Sequence, residues 1–410
     1  MSDIDRKRAN RLMDEAGIDA LILFQPEAFR YAVGAPAGVA TMWGRAGAAV
    51  ALVPAQVDAG LAAIVSDHAA ATVRTQAPDV DLRTHRIWID MLDVTGSETV
   101  PQIDDKYRSS GIAGPRPETF DRTAVFGLLG ELLTERGLFD SRIGVDLEFM
   151  PAADFEALKV ALPQVRWSDG SKVLRRLRAV KTPSEIRRLR RASQAAEAGL
   201  RMMAQAIEPG ASLAALSAAW KAGAQTAAAE GGFVLSGHWD YISVGADLSD
   251  MAAVVKPGSL IKADVGTLVD GYSSDGARTY CFGQPSSLAS EVFKALDTAF
   301  HAGLEQVRPG NEFGVVHAAM LASMRKDGFA EYYRGHFGHS VGGSVGIEEW
   351  PFFSSGNGEI IEPNMVLALE APFYGQGLGA LMIEDQFLVT ANGVECMNSL
   401  PRGLEQIAAG

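Results

Sequence analysis

The sequence predicts a two-domain chain, with an α/β domain over residues 1–168 followed by an α+β domain over residues 169–410. Three observations support this prediction. The 410 residues exceed the usual size of a single domain. Short apolar runs alternate with helical patterns in the first part, which favours a sheet covered by helices. The second part is richer in glycine and in strand-like alternation, which favours antiparallel ribbons.

The first domain begins with a helical pattern and continues with apolar runs that end near prolines. Residues 20–24 form such a run and stop before Pro26, as expected of a buried strand. The predicted elements, in chain order, are a helix over Arg6–Ala16, strands over residues 20–24, 48–53 and 143–146, and a helix over Ala152–Ala161.

A charged helical stretch over residues 174–210 follows the first domain. Thr182 is its predicted N-cap, with Pro183 at the first helical position and Glu185 completing a capping box. Eight arginines lie between positions 175 and 201. Arginines on an amphipathic helix usually form a solvated outer face, so we favour that interpretation over a nucleic-acid site.

The second domain is predicted to combine antiparallel strands with helices. Pro257 and Gly258 make a turn before the first strand, and Gly271 opens the return to the second. The predicted elements, in chain order, are strands over residues 260–267 and Ala277–Phe282, helices over residues 287–307 and 313–327, and strands over residues 366–370 and 381–389.

The composition excludes several classes of protein. With 37 Lys and Arg against 50 Asp and Glu, the net charge of −13 argues against sequence-independent binding of nucleic acid. No run approaches the roughly 18 apolar residues that a membrane span needs, so no membrane association is predicted. The N-terminal residues lack the apolar core of a secretory signal, and the two cysteines lack metal-ligand spacing. We therefore predict a cytoplasmic protein.

Four acidic residues stand where strands and turns favour other residues, and these are Asp264, Asp275, Glu370 and Glu384. Burying a lone carboxylate costs several kcal/mol, so such placements require a compensating positive charge. Carboxylates that converge from several short strands form an oxygen-rich site, which suits a divalent cation. The pattern therefore predicts a metal site in the second domain.

His339 is the candidate nitrogen ligand of this site. It lies in YYRGHFGHSVGG, where small residues leave room for an ion. Four carboxylates balance the charge of two divalent cations, and two ions that share carboxylates would acidify a bridging water and polarise a carbonyl oxygen. Carboxylates with one imidazole fit manganese or iron better than zinc. We therefore predict two divalent ions, with manganese or iron favoured over zinc.

The motifs around these residues resemble those of the pita-bread metallopeptidases, which include Xaa-Pro dipeptidases, aminopeptidase P and methionine aminopeptidase. The resemblance lies in four successive segments, DVGTLVDGYSSDGARTY, GHSVGG, EPNMVLALEAPFY and MIEDQFLV. The N-terminal part resembles the creatinase/prolidase N-terminal domain in RLMDEAGIDALILFQPEAFRYAVG, and the inter-domain helix of that family in LRAVKTPSEIRRLRRAS. The resemblance covers nearly the whole chain. It implies a creatinase/prolidase-type domain followed by a pita-bread catalytic domain.

The resemblance also assigns a role to each predicted ligand. Asp264 would bind one metal, His339 and Glu370 the other, and Asp275 and Glu384 would bridge both. Glu370 would also act as a catalytic base that takes a proton from water. The family implies manganese, cobalt, iron or zinc, and its dimeric members imply a homodimer.

Two positions depart from the peptidases of this family. Asp247 and Gly346 stand where those enzymes carry histidines that contact the substrate and stabilise the tetrahedral intermediate. His336 and His238 are the candidate catalytic substitutes. The candidate substrate-binding residues are Asp247, Glu348, Glu349 and Trp350. For each candidate, the alternative is a structural role in a loop or in the core.

Three functions are compatible with these observations. The first is a dinuclear metal-dependent hydrolase that cleaves an amide bond of a small substrate, most simply an Xaa-Pro dipeptide. The second retains the fold and the metals but acts on a small non-peptide metabolite, as in the similar ectoine hydrolase, creatinase and dimethylsulfoniopropionate lyase. The third is a binding module without catalysis. Because all five metal ligands are present, we place the third behind the other two.

Overall fold

The computed structural model describes residues 2–344 and 346–408. The chain divides into two compact units, Met1–Arg178 and Ala179–Gly410. Each unit has its own hydrophobic core, as expected for domains of this size.

The first unit contains a sheet with helices between its strands. Its helices are α1 (Arg6–Ala16), α2 (Pro26–Val33), α3 (Ala70–Gln76), α4 (Val100–Ser110), α5 (Arg122–Glu135), α6 (Ala152–Ala161) and α7 (Ser171–Ala179). Its strands are β1 (Ala20–Leu23), β2 (Val50–Pro54), β3 (Ala62–Ser66), β4 (Asp81–His85), β5 (Arg142–Val145) and β6 (Arg166–Asp169). The sheet has the order β4-β3-β2-β1-β5-β6.

Local sequence signals explain the first helix and the central strand of this unit. Asp5 caps α1 by accepting from the backbone of Lys7 and Arg8, and Gly17 ends the helix with a φ of 63°. Strand β1 lies between β2, to which it is antiparallel, and β5, to which it is parallel. All four residues of β1 are buried, so a continuous apolar run replaces the alternation of a half-exposed strand.

The division between the units falls after Arg178, whereas the sequence placed it after residue 168. Helix α7 accounts for the difference. Its apolar residues Leu174 and Leu177 belong to the hydrophobic core of the first unit. The charged composition of this stretch had suggested a connecting segment, but its apolar side is part of the first core.

The second unit is built on a large, mostly antiparallel sheet. Its helices are α8 (Pro183–Gln205), α9 (Leu213–Glu230), α10 (Ser287–Leu304) and α11 (Phe313–Lys326). Its strands are β7 (Leu235–Val244), β8 (Leu260–Val269), β9 (Tyr272–Ser273), β10 (Ala277–Phe282), β11 (His336–Ser340), β12 (Glu349–Ser354), β13 (Val366–Gly375), β14 (Gly379–Thr390), β15 (Gly393–Cys396) and β16 (Glu405–Ile407).

The strand order brings distant parts of the sequence together. The main path is β12-β11-β13-β14-β10-β8-β7, while β15 pairs with β14, β16 with β10 and β9 with β8. The predicted cap of α8 is confirmed, because Thr182 and Glu185 form a capping box and Pro183 begins the helix. Apolar residues of α10 and α11 share a core cluster with buried residues of β13 and β14. The helices therefore support the strands that carry the site.

Candidate metal centre

Neighbouring strands bring the predicted ligands into register. Asp264 on β8 and Glu384 on β14 both pair with Ala277, which lies on the intervening strand β10. Glu370 on β13 is directly opposite Glu384. His339 on β11 pairs with Ala368 of β13. Residues far apart in sequence thus reach one region of the sheet through strand pairing.

Three of the predicted ligands form a close set. One ligand atom from each of Asp275, His339 and Glu384 lies within 4.8 Å of the other two. His339 Nε2 lies 3.4 Å from Asp275 Oδ2. These side chains are also deeply buried, with only 5%, 2% and 1% of Asp275, His339 and Glu384 exposed.

The backbone of this close set is fixed by polar side chains. The Asp275 amide donates to Gln386 Oε1 at 3.2 Å. The Arg278 guanidinium donates to the carbonyl oxygen of Glu384 at 2.8 Å and also binds the Asp385 carboxylate. Because Arg278 and Asp385 are both buried, this contact has little freedom to move.

The electrostatics of the close set favour a bound cation. Burial and the neighbouring carboxylates raise the pKa of Asp275 and of Glu384 well above their usual values. Glu384 Oε2 is buried and has no hydrogen-bond partner among the described residues. An orphaned buried carboxylate oxygen beside a second carboxylate and an imidazole is what a divalent ion would satisfy. The residues present therefore fit a metal ion.

His339 is arranged as a metal ligand would be. Its Nδ1 donates to the carbonyl oxygen of Ser340 at 2.9 Å, which leaves the Nε2 lone pair directed toward Asp275. Burial lowers the pKa of His339, which favours the neutral imidazole. A neutral ring with one nitrogen already hydrogen-bonded is the form that binds metals.

Asp264 and Glu370 lie beside the close set without belonging to it. Burial is the main reason that the pKa of Asp264 is raised, and the ammonium of Lys262 opposes this effect from 3.2 Å away. Glu370 Oε1 lies 3.2 Å from Nδ1 of His336. The hydrogen bond to Glu370 raises the pKa of His336. Each of these two carboxylates thus already has a cationic or hydrogen-bonding neighbour.

The ligands face one cavity of about 350 Å³. This is within the usual range of small-molecule sites. Glu348 also lines it, and its Oε2 lies 3.6 Å from His336 Nε2. The lining residues are Trp239, Tyr241, Asp264, Asp275, His339, Gly346, Ile347, Glu348, Glu370, Met382 and Glu384.

The structure does not bring all the other candidate residues to this cavity. Successive side chains of a strand point to opposite faces. Trp239 and Tyr241 of β7 face the cavity, so His238 faces away, where its exposed ring lies against Trp220 of α9. Asp247 is exposed in the turn after β7 and binds Gln376.

Two further candidates lie on β12, outside the lining of the cavity. Trp350 packs against the core of the second unit, and Glu349 approaches Gly342. Glu348, the residue just before β12, is the member of this acidic pair that reaches the cavity. Gly346 also borders the cavity but has no side chain to offer.

Lys262 is a residue of the site that was not predicted from the sequence. It is 4% exposed and contacts Asp264. The sequence signal that could have identified Lys262 is its position two residues before Asp264 in a predicted strand, since both side chains then lie on the same face. The flanking residues gave no reason to expect that this face is buried.

Comparison with known proteins assigns the family. Residues 187–391 match metallopeptidase family M24, and residues 6–180 match the creatinase/prolidase N-terminal domain. The chain belongs to metallopeptidase family M24. The predicted resemblance, the two-part fold and the metallopeptidase-type enzyme are thereby confirmed. The family is one of metal-dependent peptidases, which also agrees with the predicted need for divalent ions.

Other M24-type proteins resemble the chain in sequence and in fold. The probable dipeptidase PepE of Mycobacterium tuberculosis is 33% identical over 267 residues, which cover 63% of this chain and 67% of that protein. The Xaa-Pro dipeptidase of Lactobacillus helveticus is 27% identical over 270 residues, with 64% and 72% covered. The structure of an Xaa-Pro dipeptidase from Bacillus anthracis has the same fold, with a TM-score of 0.75 at 22% identity, covering 98% of this chain and 99% of that one.

Among the residues that the structure describes, no helix combines the length and the apolar composition needed to cross a bilayer.

Proposed function

We propose that this M24 member is a dinuclear metal-dependent dipeptidase, with an Xaa-Pro dipeptide as its simplest substrate. The observation that carries the proposal is the close set of Asp275, His339 and Glu384, in which a buried Glu384 oxygen has no hydrogen-bond partner among the described residues. The relatives named as dipeptidases support the choice of substrate class. A homodimer in the cytoplasm, as predicted from the sequence, remains part of the proposal.

The proposed ligand roles follow the family resemblance. Asp264 would hold one ion, His339 and Glu370 would hold the other, and Asp275 and Glu384 would be shared. Manganese is the first choice, with cobalt, iron and zinc as alternatives. When bound, such ions supply Lewis acidity toward a carbonyl group and acidify a water molecule.

Side chains of the protein would transfer the protons of the reaction. Glu370 Oε1 and His336 Nδ1 are 3.2 Å apart, and Glu348 approaches the other ring nitrogen. A proton taken up by Glu370 can therefore pass to His336 when Nδ1 of His336 gives up the hydrogen bond that it accepts from the Gly338 amide. His336 is not among the residues that line the cavity, so we propose that it returns this proton through Glu370, a role that suits its raised pKa.

The cavity walls suit a short peptide. Trp239 and Tyr241 place their rings 5.6 Å apart at one wall, and Met382 adds a further apolar surface. These side chains would pack against the proline ring and its neighbouring side chain. Glu348 is an exposed acid at the same cavity and would bind the free amino terminus of the dipeptide.

Turnover of a dipeptide panel tests this proposal. Protein loaded with Mn²⁺ or Co²⁺ is expected to cleave Ala-Pro and Met-Pro, and to lose this activity when the ions are removed. Ala-Leu in the same assay shows whether proline is required. Failure of the metal-loaded protein to cleave any member of the panel would rule out the dipeptidase.

A second function, hydrolysis or lyase action on a small non-peptide metabolite, is favoured by one observation. The two positions at which peptidases of the family are expected to carry histidines hold an exposed Asp247 outside the cavity and a Gly346 without a side chain. Ectoine, creatine and dimethylsulfoniopropionate are the substrates to test. Turnover of one of them without dipeptide cleavage would favour this alternative.

A further inference from the structure

We infer that Lys262 is a built-in cation that competes with the second divalent ion for the carboxylate of Asp264. The inference rests on the proposed function only in taking Asp264 to be a metal ligand. It concerns how strongly the chain binds its second ion, and it assigns a role to a lysine that has none in the reaction itself.

The contact between the two residues is short and buried. Lys262 Nζ lies 3.2 Å from Asp264 Oδ2, and Lys262 as a whole is only 4% exposed. The ammonium also lies 5.6 Å from the centre of the Tyr374 ring, which is a cation–π contact. Among the described residues, Asp264 is the one carboxylate within 4.0 Å of this ammonium.

The strand geometry holds the pair together. Lys262 and Asp264 are two residues apart on β8, so their side chains leave the same face of the sheet. The residues paired with Lys262 are Ser243 on β7 and Thr279 on β10, which are uncharged. The neighbouring strands therefore offer the ammonium no other carboxylate at this register.

A metal ion bound to Asp264 would lie close to the positive charge of Lys262. If a divalent ion takes the carboxylate, Lys262 loses its partner while remaining buried, and its positive charge lies close to that of the ion. The close set of Asp275, His339 and Glu384 does not include Lys262 or Asp264. The charge of Lys262 also acts on Glu384, a member of the close set, so the larger part of the penalty applies to the ion that needs Asp264 and a smaller part to the first ion.

Titration of the metal-free protein with Mn²⁺, followed by calorimetry, measures this effect without any substrate. The Lys262→Met variant is expected to bind the second ion at least about tenfold more tightly than the wild type, because the competing charge is gone. Binding of the first ion should change by less than about threefold. Lys262→Arg retains a cation, so its second ion should stay as weakly bound as in the wild type.

A lysine on a neighbouring element provides the matched control. Lys221 pairs with Asp240 at 3.1 Å, on the face of β7 away from the cavity. Lys221→Met also removes a lysine–aspartate pair, here between α9 and β7, but it should leave the binding of both ions unchanged. Any change in this control would mean that net charge, rather than the contact with Asp264, sets the affinity.

Thermal unfolding gives a second readout. Metal-free Lys262→Met should melt at a lower temperature than metal-free wild type, since the partly buried Asp264 then has no cationic partner, and saturating Mn²⁺ should remove this deficit. Should Lys262→Met fail to fold, Lys262→Gln replaces it in both measurements with the same expected results.

The inference is overturned if the neutral variant binds the second ion no more tightly than the wild type, if it binds no second ion, or if Lys262→Arg gains as much affinity as Lys262→Met. These outcomes are distinct from failure of the proposed function. A protein that shows the predicted metal binding but cleaves no dipeptide contradicts only the dipeptidase proposal. A dipeptidase whose affinity for the second ion is unchanged by substitution of Lys262 contradicts only this inference.

Discussion

Glu384 shows at the scale of single residues why this site needs a cation. It is 1% exposed, and its Oε2 has no hydrogen-bond partner within the described part of the chain. Burial raises the pKa of Glu384 and of Asp275 well above their usual values. Without a metal, these two carboxyl groups are therefore a source of instability wherever they ionise.

The Glu384→Gln substitution tests this interpretation through pH. Since folding raises both pKa values, the folded metal-free protein binds more protons than the unfolded chain, and its free energy of unfolding falls as pH rises from about 4 through the folded pKa values. Removing one of the two groups should make the metal-free variant more stable than wild type at about pH 8 by roughly 1–3 kcal/mol, and this gain should vanish near pH 4. Urea unfolding at both pH values measures it.

The same substitution should weaken metal binding. Loss of a shared ligand is expected to reduce the affinity for Mn²⁺ by about 100-fold or more. Glu291→Gln, an exposed change on α10, is the control and should alter neither stability nor metal affinity. A Glu384→Gln variant that binds Mn²⁺ as the wild type does would remove Glu384 from the ligand set.

The residue types of the site were predictable, but some side-chain directions were not. The four acidic residues stand where strands and turns favour other residues, and this placement indicated a site, because burial of carboxylates is costly. His238 and Trp239 are adjacent, so a choice between them depends on which face of β7 is buried. A single sequence with polar and aromatic residues on both faces of a strand does not determine that face.

Strand β11 shows how the sheet, rather than local propensity, forms a secondary-structure element. Its sequence HFGHS contains no β-branched residue, and it was not predicted as a strand. It forms because it pairs with β12 and β13, with register shifts around His339. Gly338 lies within it at a φ of 119°, and a Cβ there would be 2.0 Å from the carbonyl oxygen of Ala368.

Gly338→Ala should therefore damage both the strand and the site. The left-handed backbone and the contact with Ala368 should cost roughly 2–3 kcal/mol or more in the free energy of unfolding. Displacement of His339 should also weaken Mn²⁺ binding. Gly335→Ala is the matched control, because a Cβ at Gly335 meets no atom within 4 Å. Equal stability and metal affinity in the two variants would contradict this account of β11.

Two helices of the second unit show where the sequence pattern identified a helix and where it did not. Helix α8 was found from Thr182, Pro183 and Glu185, each of which has the predicted place at the N-terminus. Helix α9 was missed, because alanines are distributed around all of its sides and weaken the helical periodicity. Trp220 of this helix is buried, although the alanine-rich sequence does not indicate which face of the helix is buried.

At the scale of the whole molecule, two units with separate cores carry different parts of the family signature. The creatinase/prolidase N-terminal match covers the first unit almost entirely, and the M24 match covers most of the second. All five predicted ligands lie in the second unit. Sequence order alone predicted this, since the ligand motifs follow the charged helical stretch.

Catalysis by metals held at these ligands is the central claim, and it is tested most directly by hydrolysis of an Xaa-Pro dipeptide as a function of Mn²⁺ bound per chain. Starting from metal-free protein, we predict no turnover without metal, a rate that rises with bound Mn²⁺ and reaches its maximum at two ions, and no turnover for Asp275→Asn under the same conditions. Undiminished turnover by the metal-free protein, or a wild-type rate for Asp275→Asn, would contradict the account.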